Sequence, residues 1–231
     1  VLGALESARA ARHILPSDGE HTQPASIAPP SEKSANAPLI ETKHLVFGYH
    51  TGIPIVQNLS LTIRRGEHTA IIGESGAGKT TLASLLLRLW EPDAGTISYD
   101  GVPHTKLSPD ASRAYFGAAL QGSWLFSASI RDNFLRLRGD ISEAAIWHAL
   151  ETAQLADVVR ALPAGLDEPL GMNASRLSGG QRSRLLTALA LAGDAPILLL
   201  DEPTAHLDLP SRLEVTTMLR SLARSLGKSI L

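Results

Sequence analysis

One stretch of eight residues, Gly73-Glu74-Ser75-Gly76-Ala77-Gly78-Lys79-Thr80, carries the residue types needed to hold a chain of phosphates. Glycines at this spacing let successive backbone N–H groups turn toward phosphate oxygens. A helix opening at the lysine adds the positive end of its dipole. Lys79 then reaches the β and γ phosphates of a nucleoside triphosphate. The Thr80 hydroxyl ligates Mg²⁺, with Thr81 following in the same turn. The alternative is a glycine-rich turn with an exposed lysine. The apolar run His68 to Ile72, read as a strand, and the helical pattern Lys79 to Trp90 favour the phosphate cradle, which needs a strand before it and a helix after it.

A second chemical element lies far along the chain. Pro196-Ile197-Leu198-Leu199-Leu200-Asp201-Glu202 is an apolar strand that ends in two carboxylates. Burial of the strand fixes where they point, so that Asp201 can hold Mg²⁺ through water and Glu202 can polarise the water attacking a γ-phosphate. Alone, such a strand end would more often be a solvated turn; the phosphate loop in the same chain reverses that preference. Some twenty residues before Asp201, Ser178-Gly179-Gly180-Gln181 sets exposed N–H groups and a hydroxyl at the start of a helix. This is a second anion-binding terminus in one chain, and a single phosphate site needs only one. The plainer reading is a capped helix start.

These groups need a scaffold. The pattern of short strands alternating with helices after residue 68 predicts an α/β chain with a mostly parallel core sheet. The alternating stretches Leu39 to Phe47 and Leu59 to Ile63 predict an antiparallel β lobe. Ser129 to Leu162 reads as two or three short helices, Ser178 to Leu191 as another, and Ala195 to Leu200 as a buried strand. At the N-terminus, Leu2 to Leu15 reads as a helix stopped by Pro16, followed by a Pro- and Ser-rich linker over 16–38. With 231 residues and 44% apolar content, one large domain over 39–231 can fill a core. A net charge of −2 offers no field for nucleic acid, and the absence of cysteine excludes thiol chemistry.

Leu177-Ser178-Gly179-Gly180-Gln181-Arg182, together with the two motifs above, resembles the signature of the ABC ATPase family. The resemblance implies the P-loop NTPase fold with a helical signature subdomain over about 122–177, and ATP with Mg²⁺ as ligands. It also implies that the signature closes over ATP held by a partner domain, identical or different. Tyr49 resembles the aromatic that stacks on adenine, although a lone tyrosine would more often be packing. Gln121 resembles the glutamine that senses Mg²⁺ and the attacking water, and Ala205-His206-Leu207-Asp208 resembles the loop that crosses the dimer interface. The family's switch histidine lies beyond the strand beginning near Ser229, past Leu231, and none of the eight histidines takes its place.

Leu125-Phe126-Ser127-Ala128-Ser129-Ile130-Arg131-Asp132-Asn133 is similar to the corresponding run in exporter motors. It implies a transmembrane domain on the same polypeptide, with residues 1–15 as the end of its last helix, at the cytoplasmic face of the membrane. Met172 departs from the exporter pattern, which has an acid there, and leaves the route of coupling open. Asp194-Ala195-Pro196 and the run from Asp201 to Asp208 look most like the paired bacterial subunits that export cysteine and glutathione for cytochrome bd assembly. A soluble ABC ATPase and a nucleotide-binding regulatory subunit that does not turn over remain the alternatives.

Overall fold

The computed structural model describes residues 38–50 and 52–231. The expected leading helix, and the linker except for Pro38, lie outside them. The chain forms two units: residues up to Thr62 with Ser84–Arg113, and Ile63–Ala83 with Ala114–Leu231.

The first unit is built on the antiparallel lobe that alternation predicts. Its strands β1 (Ile40–Phe47), β2 (Val56–Ile63), β3 (Ala94–Tyr99) and β4 (Val102–Pro103) lie in the order β2-β1-β3-β4. β1 pairs antiparallel with β3 from Ile40↔Tyr99 to Val46↔Ala94, with a register shift between Lys43 and Val46. His44, inside that shift, has φ 50. The bulge advances the side-chain phase by one residue: Ile40 and Thr42 are buried before it, Leu45 and Phe47 after it. β2 begins at Val56, three residues earlier than the alternation indicates, because buried Val56 joins the same face.

The helix expected to run from Lys79 to Trp90 ends sooner. Helix α1 spans Lys79–Leu86. It closes when Leu89 N–H donates to Ser84 O at 2.9 Å and Arg88 N–H to Leu85 O at 3.0 Å. That bond pair is a Schellman cap, and Arg88 occupies its left-handed position at φ 51. Glycine is the usual signal there, so the sequence conceals the stop. Arg88 is tethered by its side chain, which donates to His104 O at 2.8 Å and to Glu91 Oε1 at 2.8 Å. Leu89, assigned to the buried stripe, is consequently exposed. A one-turn helix α2 (Pro109–Arg113) ends the unit.

The second unit holds the parallel sheet. Strands β5 (Phe116–Ala119), β6 (Ile197–Leu200) and β7 (Ser229–Ile230) lie in the order β5-β6-β7, all parallel. The two or three short helices expected over Ser129 to Leu162 are three: α3 (Ile130–Leu137), α4 (Glu143–Thr152) and α5 (Ala156–Arg160). α6 (Gly179–Leu191) and α7 (Leu209–Ser225) pack against the sheet through Leu185, Ala188, Val215, Met218 and Leu222. α6 approaches β5 so closely that a β-carbon at Gly117 would lie 1.8 Å from Ala190 O.

The strand expected over His68 to Ile72 is reduced to one parallel bridge, His68↔Ile230, with Thr69 N–H donating to Ile230 O at 2.8 Å. Ile72 is 91% exposed. Ala70 to Ile72 have no ladder partner among the described residues.

Candidate nucleotide-binding site

The phosphate loop occupies residues 73–80 at the mouth of α1, with Gly76 at φ 83 and Gly78 at φ 88. Only glycine takes these left-handed angles without strain, and they are what turns neighbouring N–H groups inward. Ala77 N–H donates to Glu74 O at 3.2 Å and Leu82 N–H to Gly78 O at 2.8 Å, joining loop to helix. Lys79 Nζ donates to Gly73 O at 3.0 Å and Glu74 O at 2.9 Å, and lies 3.5 Å from Glu202 Oε1. Thr80 Oγ1 donates to Asp201 Oδ2 at 2.8 Å. The loop and the acidic strand end, 121 residues apart in sequence, therefore converge. Ser75 is exposed with the loop, whereas Thr81 is buried in the first turn of the helix.

β6 delivers the two carboxylates. It is buried between β5 and β7, and Asp201 N–H extends its ladder by donating to Ala119 O at 3.0 Å. Glu202 then turns out of the strand with φ 50, and Ala205 N–H closes the turn on Glu202 O at 2.9 Å. From the neighbouring strand β5, the chain makes a tight turn at Gln121-Gly122, in which Ser123 N–H bonds Leu120 O at 3.0 Å. The parallel register ends both strands at one edge of the sheet, which is where ligands of such sheets bind. Gln121, Asp201, Glu202, Gly179 and His206 line one cavity of about 200 Å³.

Ser178 caps α6: its Oγ accepts from Gln181 N–H at 3.2 Å, while Gln181 Oε1 accepts from Ser178 N–H at 2.9 Å. This reciprocal box leaves the first-turn N–H groups of Gly179 and Gly180, beyond reach of any intrahelical carbonyl, at the helix mouth. Downstream, the Asp208 carboxyl caps α7 from Ser211 N–H at 3.1 Å. Its bonds to Ser211 hold it below the usual carboxylate range.

Tyr49 belongs to the first unit. Its ring stands edge-on to Phe47 at 5.1 Å and to Trp90 at 5.4 Å, and it is 37% exposed. Trp90 is a residue the sequence reading passed over, since an aromatic after a helical stripe carries no signal of its own. The run from Leu125 to Asn133 acquires a structural meaning. Asn133 accepts from Phe126 N–H at 2.8 Å and donates to Phe126 O at 3.2 Å and Ser129 O at 2.9 Å, while Leu125 and Ile130 are buried. Asparagine at that spacing staples the segment after Gln121 to α3.

A glycine loop of the kind that cradles phosphate, its lysine and threonine in contact with two carboxylates at a sheet edge, and a second glycine-led helix mouth are the marks of a P-loop nucleotide-binding ATPase. Residues 56–205 match the ABC transporter family. The chain is 45% identical over 157 residues to the ATP-dependent lipid A-core flippase of Neisseria meningitidis serogroup B, across 68% of this chain and 25% of that protein. It is 40% identical over 181 residues to the mycobactin import ATP-binding/permease protein IrtA of Mycobacterium tuberculosis, across 78% of this chain and 21% of that one. It superposes on a bacterial Atm1-family ABC exporter with ATP bound at a TM-score of 0.75 and 33% identity, covering 99% of this chain and 39% of that chain. The chain belongs to the ABC transporter family, as an ATP-binding domain of the exporter type. It spans about a fifth to a third of the length of the curated relatives it matches.

Proposed function

We propose that this chain is the ATP-hydrolysing motor of an exporter, coupling nucleotide-driven pairing of two such domains to movement of a substrate across a membrane. The convergence of Lys79 and Thr80 with Glu202 and Asp201 carries the reading. Gly73 to Thr80 holds the phosphates, with Lys79 positioned to exchange its two loop carbonyls for β and γ oxygens. Glu202 takes up the proton side of the attacking water, and Tyr49 stacks on adenine. Thr80, Asp201 and Gln121 offer oxygen donors of the kind Mg²⁺ takes, few in number so that phosphate and water complete its shell. When bound, the ion neutralises charge on the transferring phosphate. Ser178, Gly179, Gly180 and Gln181 address the triphosphate held by a partner domain, so that a lone copy is a poor ATPase.

The membrane half would lie on the same polypeptide, as the length of the relatives supports, with this domain on the cytoplasmic side. Among the described residues, no helix is long and apolar enough to cross a membrane. Within exporters, thiol export rests on Asp194 to Pro196 and the loop from Asp201 to Asp208 alone. The relatives named above handle other cargo by their names, and cargo contacts belong to the membrane half.

The test uses the full-length polypeptide. Lys79→Ala should lose ATP binding. Glu202→Gln should bind ATP, fail to turn it over and accumulate as a nucleotide-bound pair. Hydrolysis at the parental rate in Glu202→Gln would overturn the assignment of that carboxylate.

A further inference from the structure

We infer that Ser183 is a positioning residue for Glu202, fastening the helix that presents the glycine signature to the turn that carries the hydrolytic carboxylate. The inference rests on the role given to Glu202 above. Its starting point is the backbone of Glu202, whose φ of 50 places a residue with a β-carbon in the left-handed region. That conformation costs about 1–2 kcal/mol and persists only where the surroundings hold it. One restraint is local, the Ala205 N–H bond to Glu202 O.

A further one comes from α6. Ser183 Oγ donates to Pro203 O at 2.7 Å, on the residue directly after Glu202. Proline has no N–H, so this carbonyl is the one backbone hydrogen-bonding group at 203 by which the turn can be tied. Ser183 sits one turn inside the cap formed by Ser178 and Gln181. The same turn of α6 lies against the chain that follows. A β-carbon at Gly179 would come within 3.0 Å of Leu207 Cδ2, and one at Gly180 within 2.9 Å of Ser211 Cβ. The segment from Pro203 to Ser211 thus runs along the first turns of α6 at glycine distance. The Ser183 hydroxyl is its polar fastening there, and Ser183 lines the same cavity as Gln121 and Glu202.

A group placed this way does not touch phosphate. It fixes the direction of the Glu202 carboxylate relative to the helix mouth, so its loss should appear in turnover and leave nucleotide affinity alone. In the full-length polypeptide, Ser183→Ala is expected to lower kcat about fivefold to tenfold, the effect of one net hydrogen bond. KM and ATP affinity should stay within about twofold. Ser183→Thr, which keeps the hydroxyl, should recover at least half of the parental kcat. A merely structural role would lower the melting temperature without this split between kcat and KM. An unchanged kcat in Ser183→Ala, a rise in KM that accounts for the loss, or equal loss in Ser183→Thr would overturn the inference. Glu202→Gln is assayed alongside: parental turnover in that variant would sink the underlying reading of Glu202 independently of what Ser183 does.

Discussion

Gly117→Ala is the sharpest probe of how the site is mounted. Gly117 lies in β5, two residues before Ala119, and an added β-carbon would meet Ala190 O at 1.8 Å and Ala190 C at 2.9 Å. A real β-carbon essentially never comes within 3.0 Å of such an atom, so α6 and β5 must separate by about 1.2 Å. The obstacle is helix backbone, which has no rotamer to change. Inserting a methyl group into a well-packed interior costs about 1–3 kcal/mol, and a collision with backbone belongs at the upper end of that range. At about 2–4 °C per kcal/mol for a domain of this size, the melting temperature should fall by roughly 6–12 °C. The displaced strand leads to Gln121 and pairs with β6 along Gly117↔Leu198 and Ala119↔Leu200. Turnover should therefore drop as well, even at temperatures where the variant is folded. Thermal and urea unfolding of the parent, Gly117→Ala and Gly139→Ala provide the assay. A β-carbon at Gly139 meets nothing within 4 Å, so that variant should stay within about 0.5 kcal/mol of the parent. If Gly117→Ala is equally silent, the close contact of β5 with α6 is refuted.

Arg131 joins α3 to Glu143 at 2.8 Å and to Asp167 at 2.7 Å. Its guanidinium holds both carboxyls below their usual range. A depressed carboxylate contributes stability above its unfolded pKa, near 4, and loses it as pH falls through the folded value. The melting temperature of Arg131→Gln should accordingly lie below that of the parent at pH 7, with the gap closing below about pH 4. A gap at pH 3 as wide as that at pH 7 would assign the effect to packing. Tyr49→Ala should weaken ATP binding by roughly 1–3 kcal/mol, the value of one base stacked on an aromatic ring, while Tyr49→Phe retains affinity. Equal binding by all three proteins in a direct nucleotide titration would remove Tyr49 from the site.

The candidate site was legible in the sequence because its short motifs, each open to a plainer reading alone, occur together in one chain. Gly73 to Thr80, Asp201 and Glu202, and the Ser178 cap stand at a helix mouth, a strand end and a helix start as their patterns indicate, and α3, α4 and α6 begin at serine caps within the stretches read as helical. What remained hidden depends on partners far along the chain. The end of α1 at Leu86 depends on Arg88 in a left-handed cap, held by His104 O and Glu91. The phase slip in β1 depends on a bulge at His44, a residue that by type signals nothing of the kind. Ala70 to Ile72 have the composition of a buried strand, yet burial of a strand depends on a neighbour to pair with, and local composition cannot supply one. Ser183 looked like any polar residue on a helix, and its use emerges only when Pro203 is brought alongside.

The left-handed backbone at Glu202 bears on how such a domain can change over generations. Glycine and asparagine occupy that conformation at lower conformational cost than glutamate. Random substitution at this position can therefore relieve strain while it abolishes turnover, and selection for stability alone would favour the loss. A β-branched residue, by contrast, would damage the fold along with the chemistry. In a protein that works as a pair, one copy could drift toward a stable, silent binder of ATP through a single replacement here, with no rearrangement of the strand that carries it. If Glu202 carries hydrolysis as proposed, its left-handed backbone is a cost that stability alone would not maintain.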